Sequence, residues 1–281
     1  MSREASSAVA PAAVQIAVTG LFVYPIKSCR GASLEQAEVG ARGILHDREF
    51  MVVDAQSGLF LTQRELPRMA LIRPSLSDGA LGVEAPDMPM LTVSPSNDGP
   101  MQWVRIWSDS CRAVDQGAEA AAWFSRFLGH ECGLVRMADD SVRRVDGRYA
   151  TSNADQVGFA DGYPFLLISQ ESLDELNRRL AEPLPMERFR PNIVVAGGGA
   201  AHLEDGWKRV RIGSMLFHVV KPCARCTIPT TDQQTGVQGK EPLTTLATYR
   251  RSVRGAVLFG QNLIHSGTGT LRLGDPLTVV E

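Results

Sequence analysis

Short apolar runs, each broken by turn formers, set the tightest limit on what this chain can fold into. It carries 26 Gly and 16 Pro in 281 residues. Runs of this kind fit strands bounded by turns better than they fit the long amphipathic stripe of a helix. The segments that read as strands are Val18–Tyr24, Glu49–Asp54, Leu71–Arg73, Trp103–Trp107, Ile193–Ala196, Val210–Val220 and Thr270–Val280. Within Val210–Val220, Val210, Ile212, Leu216 and Val220 fall at even spacing, as one buried strand face requires.

Three segments follow the helical period instead. Ala118–Leu128 puts Trp123, Phe124, Phe127 and Leu128 on one side. Gln170–Leu180 does the same with Leu173, Leu176 and Leu180, with Ser169 as N-cap and Pro183 beyond the end. Pro242–Tyr249 opens on a proline at the first helical position. The expected fold is mostly β with a few helices, an α+β chain. A polar stretch, Met137–Gln156, holds three Arg and four Asp and marks the expected domain boundary. This predicts a disordered tail over 1–14, an N-terminal β domain over 15–138 and a second β domain over 139–281.

Charge and segment pattern exclude several classes. Lys plus Arg number 29 and Asp plus Glu 31, a net charge of −2, whereas a general nucleic-acid binder is more basic. No apolar run is long enough for a membrane helix, and the start lacks the apolar region of a signal peptide. Five cysteines, an odd number in a long chain, do not read as a disulfide framework. A reducing, cytoplasmic setting is expected.

Cys223 and Cys226 form the one close cysteine pair, in VVKPCARCTIPTTDQQTG, just where an alternating strand runs into Pro222. Lys221 and Arg225 flank the thiols, and cations favour the thiolate. A structural zinc site would need four ligands, and His218 adds at most one. A redox dithiol would open a helix, whereas Pro229, Thr230 and Thr231 follow here. Two inert buried thiols are the plain alternative. A single thiolate on a soft metal centre fits the residues best. Cys29, Cys111 and Cys132 are scattered; Cys29 sits in the loop with Lys27 and Ser28, and Cys111 and Cys132 read as passive.

Basic residues at strand ends point to an anion. YPIKSCRG offers Lys27, Ser28 and Arg30 in a loop, Arg48 opens the next strand, and Arg190 directly precedes the run Ile193–Val195. Lys, Ser and Arg together can grip a phosphate through charge-assisted hydrogen bonds, although each alone reads as a solvated surface charge. Gly197–Gly199 lacks the Lys-Ser/Thr of a P-loop. Asp161 in FADGYP is either a turn residue or an acceptor for a ligand ring. His46, Asp161 and Asp232 are candidate proton donors, while His130, His202, His218 and His265 read as structural or exposed.

Taken in order, YPIKSCRG, GILHDREFMVVD, FADGYPFLLIS, FRPNIVV, RIGSMLFHVVKPCARC, TTD…TG and LFGQNLI resemble the MOSC family. They resemble more narrowly the group with an N-terminal MOSC β-barrel domain, which includes the mitochondrial amidoxime-reducing component and bacterial reductases of N-hydroxylated compounds. The resemblance runs from about Val18 to Val280. It implies a MOSC β-barrel packed on an N-terminal MOSC β domain, and a molybdenum cofactor, Mo held by the dithiolene of molybdopterin. By the same resemblance Cys226 is the protein ligand to Mo, with Cys223 beside it. Lys27, Ser28, Arg48 and Arg190 match positions that hold the cofactor phosphate. Asp161, Asn192 and Arg225 match positions lining the cofactor, and Thr230 falls where relatives carry the second of two threonines, the first being replaced by Pro229.

The activity implied is reduction of N-hydroxylated compounds (amidoximes, hydroxylamines, N-hydroxylated bases) by oxygen-atom transfer to Mo. Some relatives carry a ferredoxin domain with four cysteines. This chain stops at Glu281 without them, so a separate electron donor of ferredoxin or reductase type is expected. The alternative is a cofactor or sulfur carrier without reductase activity.

Overall fold

The computed structural model describes residues 15–77 and 79–281; the expected tail over 1–14 lies outside them. The fold is mostly β, as the turn-punctuated sequence predicts. Seven strands close a ring. Ile16–Val23 pairs with Ile193–Ala196, followed in order by Phe165–Ser169, Leu258–Ser266, Met215–Ala224, Arg209–Ile212 and Pro276–Val279, which pairs back onto Ile16–Val23. Closure leaves no open edge in the ring. Ala32–Leu34 adds to the side of Ile16–Val23. The one parallel pair of the ring, Phe165–Ser169 with Ile193–Ala196, needs a crossover. Helix α2, Gln170–Asn177, lies in that connection; helix numbers here follow chain order. The barrel interior holds Val18, Leu21, Phe165, Val195, Phe217 and Leu263.

The remaining strands form smaller sheets. Phe50–Asp54, Cys132–Met137, Asp109–Asp115 and Met101–Ile106 make one of four strands, and Arg73–Ser77, Ala80–Glu84 and Leu91–Val93 one of three. Helix α1, Ala118–Leu128, packs between them. Its Trp123, Phe124 and Phe127 meet Val52, Leu81, Val83 and Leu134. Fully burying such side chains stabilises by roughly 1.5–3 kcal/mol each. Gln36–Gly40 pairs with Gly269–Arg272 from the far end of the chain, so strands before and after residue 138 share sheets.

Several local expectations change. Val210–Val220 is two strands, Arg209–Ile212 and Met215–Ala224, turning at Gly213 with φ 55°. The two-residue turn shifts the parity, so Met215 and Phe217 point inward instead of Leu216 and Val220. Thr270–Val280 is likewise split, at Gly274 with φ 84°. Leu71 ends a 3-10 turn, Pro67–Leu71, and the strand begins only at Arg73. Helix α2 stops at Asn177, short of Leu180, but Ser169 caps it as expected, accepting from the Ser172 N–H. In α3, Leu243–Tyr249, Pro242 sits at the cap position and not inside the helix.

Candidate functional site

A cleft of about 600 Å³ opens beside one end of the barrel strand Met215–Ala224. That strand loses register with Leu258–Ser266 twice, between Val219 and Lys221 and between Pro222 and Ala224. Bulges of this kind re-aim side chains and end pairing. Pro222 has no N–H to offer the ladder, and the strand ends at Ala224, with Cys223–Cys226 lining the cleft. Lys27, Ser28, Arg48, Asp161, Arg190, Asn192, Cys223, Arg225 and Cys226 all line it. Thr230 is not among the lining residues; it is buried, and its hydroxyl donates to the Thr227 carbonyl at 2.7 Å.

Cations are gathered at one end. The guanidinium carbons of Arg48 and Arg190 lie 4.1 and 4.3 Å from the centre of the buried Tyr24 ring. Arg48 donates to Asp47 at 2.5 Å and to Asn192 Oδ1 at 3.1 Å, and Arg190 donates to the Cys29 carbonyl at 2.6 Å. Burial, then the neighbouring Arg48 charge, lowers the Arg190 pKa to about 10. Burial of the Tyr24 phenol raises its pKa to about 12. Ser28, Arg48 and Arg190 all adopt positive φ, at 65°, 48° and 58°. For non-glycine residues this is uncommon and costs roughly 1–3 kcal/mol each. Three such residues around one cleft mark a backbone held in place to present groups to a ligand.

Lys27 is the next cation along. It donates to the Phe159 carbonyl at 2.8 Å and to Asp161 at 2.5 Å. Burial pushes its pKa down to about 8, against the opposing pull of Asp161. For Asp161, desolvation works to raise the pKa, but Lys27 outweighs it, with help from Arg64 and Trp107, and the carboxyl stays well below its usual range. Asp161 is thus an anion at neutral pH and no proton donor. Arg143 holds the loop around it, donating to the carbonyls of Gly158, Ala160 and Asp161.

Each thiol is met by a guanidinium. Arg64 donates to Cys226 Sγ at 3.5 Å and to Asp161 at 3.3 Å. Arg225 donates to Cys223 Sγ at 3.1 Å and to the Phe189 carbonyl at 2.8 Å. The buried Nε atoms of Arg225 and Arg188 have no partner, which is costly unless a ligand or water meets them. The other proton-donor candidates fall away. His46 lines a separate cleft of about 450 Å³ and is paired with Glu49. Asp232 bonds Arg188. Desolvation raises its pKa, but the Gln234 and Thr235 N–H groups outweigh that and hold it low.

Sequence reasoning missed Arg64, Trp107 and Arg143. Arg64 and Arg143 gave no local signal, and Arg143 sits in the stretch that reads as a domain boundary. Trp107 gave none either: the sequence reads Trp103–Trp107 as strand, whereas the strand is Met101–Ile106 and Trp107 lies in the turn after it.

Residues 15–131 match the MOSC N-terminal beta barrel domain and residues 154–278 the MOSC domain. Mitochondrial amidoxime-reducing component 1 of Mus musculus is 36% identical over 280 residues, covering 92% of this chain and 81% of that protein. The chain belongs to the MOSC family. Mitochondrial amidoxime reducing component 2 of Homo sapiens is 35% identical, covering 92% of this chain and 82% of its own. The molybdenum cofactor sulfurase of Arabidopsis thaliana is 35% identical, covering 85% of this chain but 32% of that protein. In this MOSC chain the paired cations, the bulged strand and the thiols converge on one cleft, although the sequence scatters them from Tyr24 to Cys226.

Proposed function

We propose that this MOSC protein is a molybdenum-cofactor-dependent oxidoreductase that reduces N-hydroxylated compounds such as amidoximes and hydroxylamines. The observation that carries this reading is the union, in one cleft, of a thiol at Cys226 with the cations Lys27, Arg48 and Arg190. Among the described residues no three His, Cys, Asp or Glu side chains come together as a metal site. A metal held at Cys226 would therefore draw most of its ligands from outside the described residues, as an anionic organic group can supply. The cation end and the unpartnered Nε of Arg225 suit such a group, so the residues present fit the cofactor.

When bound, the molybdenum cofactor would supply two electrons to the N–OH group and take up its oxygen atom. The chain's part is to hold and orient it. Lys27, Ser28, Arg48 and Arg190 grip the phosphate by charge-assisted hydrogen bonds. Asn192 fixes Arg48 and is itself held by the Phe22 carbonyl and the Leu166 N–H. Cys226 is the metal ligand, with Arg64 beside its sulfur, and Cys223 and Arg225 line the adjoining wall. Electrons come from a separate donor protein of ferredoxin or reductase type.

The test is elemental analysis of protein purified from a host that makes molybdopterin, together with turnover of benzamidoxime by reduced methyl viologen. Wild type is expected to hold near-stoichiometric molybdenum and to form benzamidine, and Cys226→Ala to lose both. Equal molybdenum in the two proteins would remove Cys226 as ligand. The similarity to a molybdenum cofactor sulfurase favours a second reading, a cofactor or sulfur carrier. Transfer of cofactor to an apo-enzyme with no benzamidoxime turnover would select it.

A further inference from the structure

Trp107 is costly where it stands. Met101–Ile106 and Asp109–Asp115 pair from Ile106 opposite Asp109, so Trp107 and Ser108 form a two-residue hairpin turn. Such turns favour Asn or Gly because they demand positive φ. Trp107 adopts φ 54°, an outlier for a bulky residue. The residue is also 49% exposed, although burial is what usually repays a tryptophan. Strain and exposure together call for another reason, and strained residues cluster at ligand clamps.

The ring is nonetheless held firmly. Arg64 stacks over it with the guanidinium carbon 4.7 Å from the ring centre. Phe60 meets it in a T-shaped contact at 4.9 Å. Its indole N–H donates to Asp161 at 3.3 Å. Those same partners reach the site: Arg64 also contacts Cys226 Sγ, and Asp161 also binds Lys27. Trp107 lines the cleft that holds Cys226, so a flat, fixed aromatic wall stands one residue's contact away from the thiol.

We propose that Trp107 is a specificity-determining residue, a stacking platform that selects N-hydroxylated substrates carrying a planar aromatic ring over small aliphatic ones. This rests on the reductase reading above. Arg64 covers one face of the ring; the remaining exposed surface offers aromatic contact without a hydrogen-bond pattern, so it selects for flatness and tolerates different ring systems. Trp107 takes no part in the chemical step. Its selective effect falls on binding the aromatic part of the substrate, and so shows as discrimination between substrates.

The experiment compares Trp107→Gly and Trp107→Phe with wild type, on benzamidoxime and acetamidoxime, with reduced methyl viologen as electron source. Glycine takes φ 54° without strain, so it removes the ring while suiting the turn. In Trp107→Gly, KM for benzamidoxime should rise about tenfold, equivalent to about 1.4 kcal/mol. Any loss passed on through Arg64 and Asp161 is shared by both substrates, so the ratio of kcat/KM for benzamidoxime to that for acetamidoxime should fall about tenfold. Trp107→Phe should recover most of the lost discrimination. Equal changes for the two substrates, or none, would overturn the proposal. If wild type turns over neither substrate, the reductase reading fails separately. Calorimetry with benzamidine and acetamidine then decides this one: a preference for benzamidine that Trp107→Gly abolishes supports the platform, and its absence overturns it.

Discussion

At the scale of single residues, the cleft is a site of unresolved charge. Arg48 and Arg190 share one ring, and Lys27 is so deeply buried that its ammonium titrates near 8 despite Asp161 at 2.5 Å. The sign of the consequence follows. Between about pH 8 and 10.5 the unfolded chain holds the Lys27 proton that the ligand-free fold has released, so this group's contribution to stability rises with pH there. Anion binding goes the other way, because it needs the ammonium. Sulfate is a clean probe, since its charge is constant over this range. Calorimetry should find sulfate binding to the cofactor-free protein several-fold weaker at about pH 9.5 than at about pH 7. Lys27→Met should bind weakly at both. Equal wild-type affinity at the two values would remove Lys27 from the anion site. The Lys27, Ser28, Arg48 and Arg190 group was legible in the sequence because each stands at the end of an apolar run. Arg64 and Arg143 were not, because what makes them part of the cleft is contact with residues about a hundred or more positions away or with a loop carbonyl, and no local pattern records that.

Elements were legible to the degree that their cause is local. Helix α1 came out with its bounds because four large apolar residues at helical spacing need nothing distant to explain them. The cap of α2 was legible too, but what surrounds it was not. Ser169 Oγ, besides capping, donates at 2.9 Å to Glu204, a carboxylate with no exposed surface. Ser169→Ala therefore removes a cap and also strips a donor from a buried anion. These cost about 1 kcal/mol and roughly 1–3 kcal/mol respectively, and urea unfolding should show a loss of about 2–4 kcal/mol. A loss below about 1 kcal/mol would mean that Glu204 finds another donor. Gly158 is the corresponding point for the site. An added Cβ would stand 3.0 Å from the Arg48 carbonyl and 3.1 Å from that of Asp47, backbone atoms that cannot swing aside. The adjoining Phe159 N–H donates to the same Arg48 carbonyl at 2.8 Å. Gly158→Ala is expected to cost about 1–3 kcal/mol in unfolding experiments and to weaken sulfate binding by displacing Arg48. Unchanged sulfate affinity would show that the Arg48 turn yields without moving its guanidinium.

For the whole molecule, the ring of strands decides what can be separated. A strand's partners cannot be read from its own residues: the two β domains expected on either side of residue 138 interleave, because the pairing crosses it. Ile16–Val23 sits between Ile193–Ala196 and Pro276–Val279 and closes the barrel. Its Val18 and Leu21 lie in the same core as Phe165 and Phe217. A chain of residues 139–281 alone would leave both neighbouring strands as open edges and uncover that core, a recipe for aggregation. It should show no cooperative unfolding transition. The polar stretch before residue 156 is a different matter. Arg148 has a side chain 80% exposed, and Asp146 and Gly147 beside it are exposed, so brief trypsin treatment should cut there first. The two pieces should then co-elute from a sizing column in native buffer, because the strand Ile16–Val23 stays locked in the ring, and part only in denaturant. They should also keep the anion site together, since Lys27 and Arg48 come from one piece and Arg190 and Cys226 from the other. Pieces that drift apart without denaturant would show that barrel closure contributes little, and that the two halves are separable domains after all.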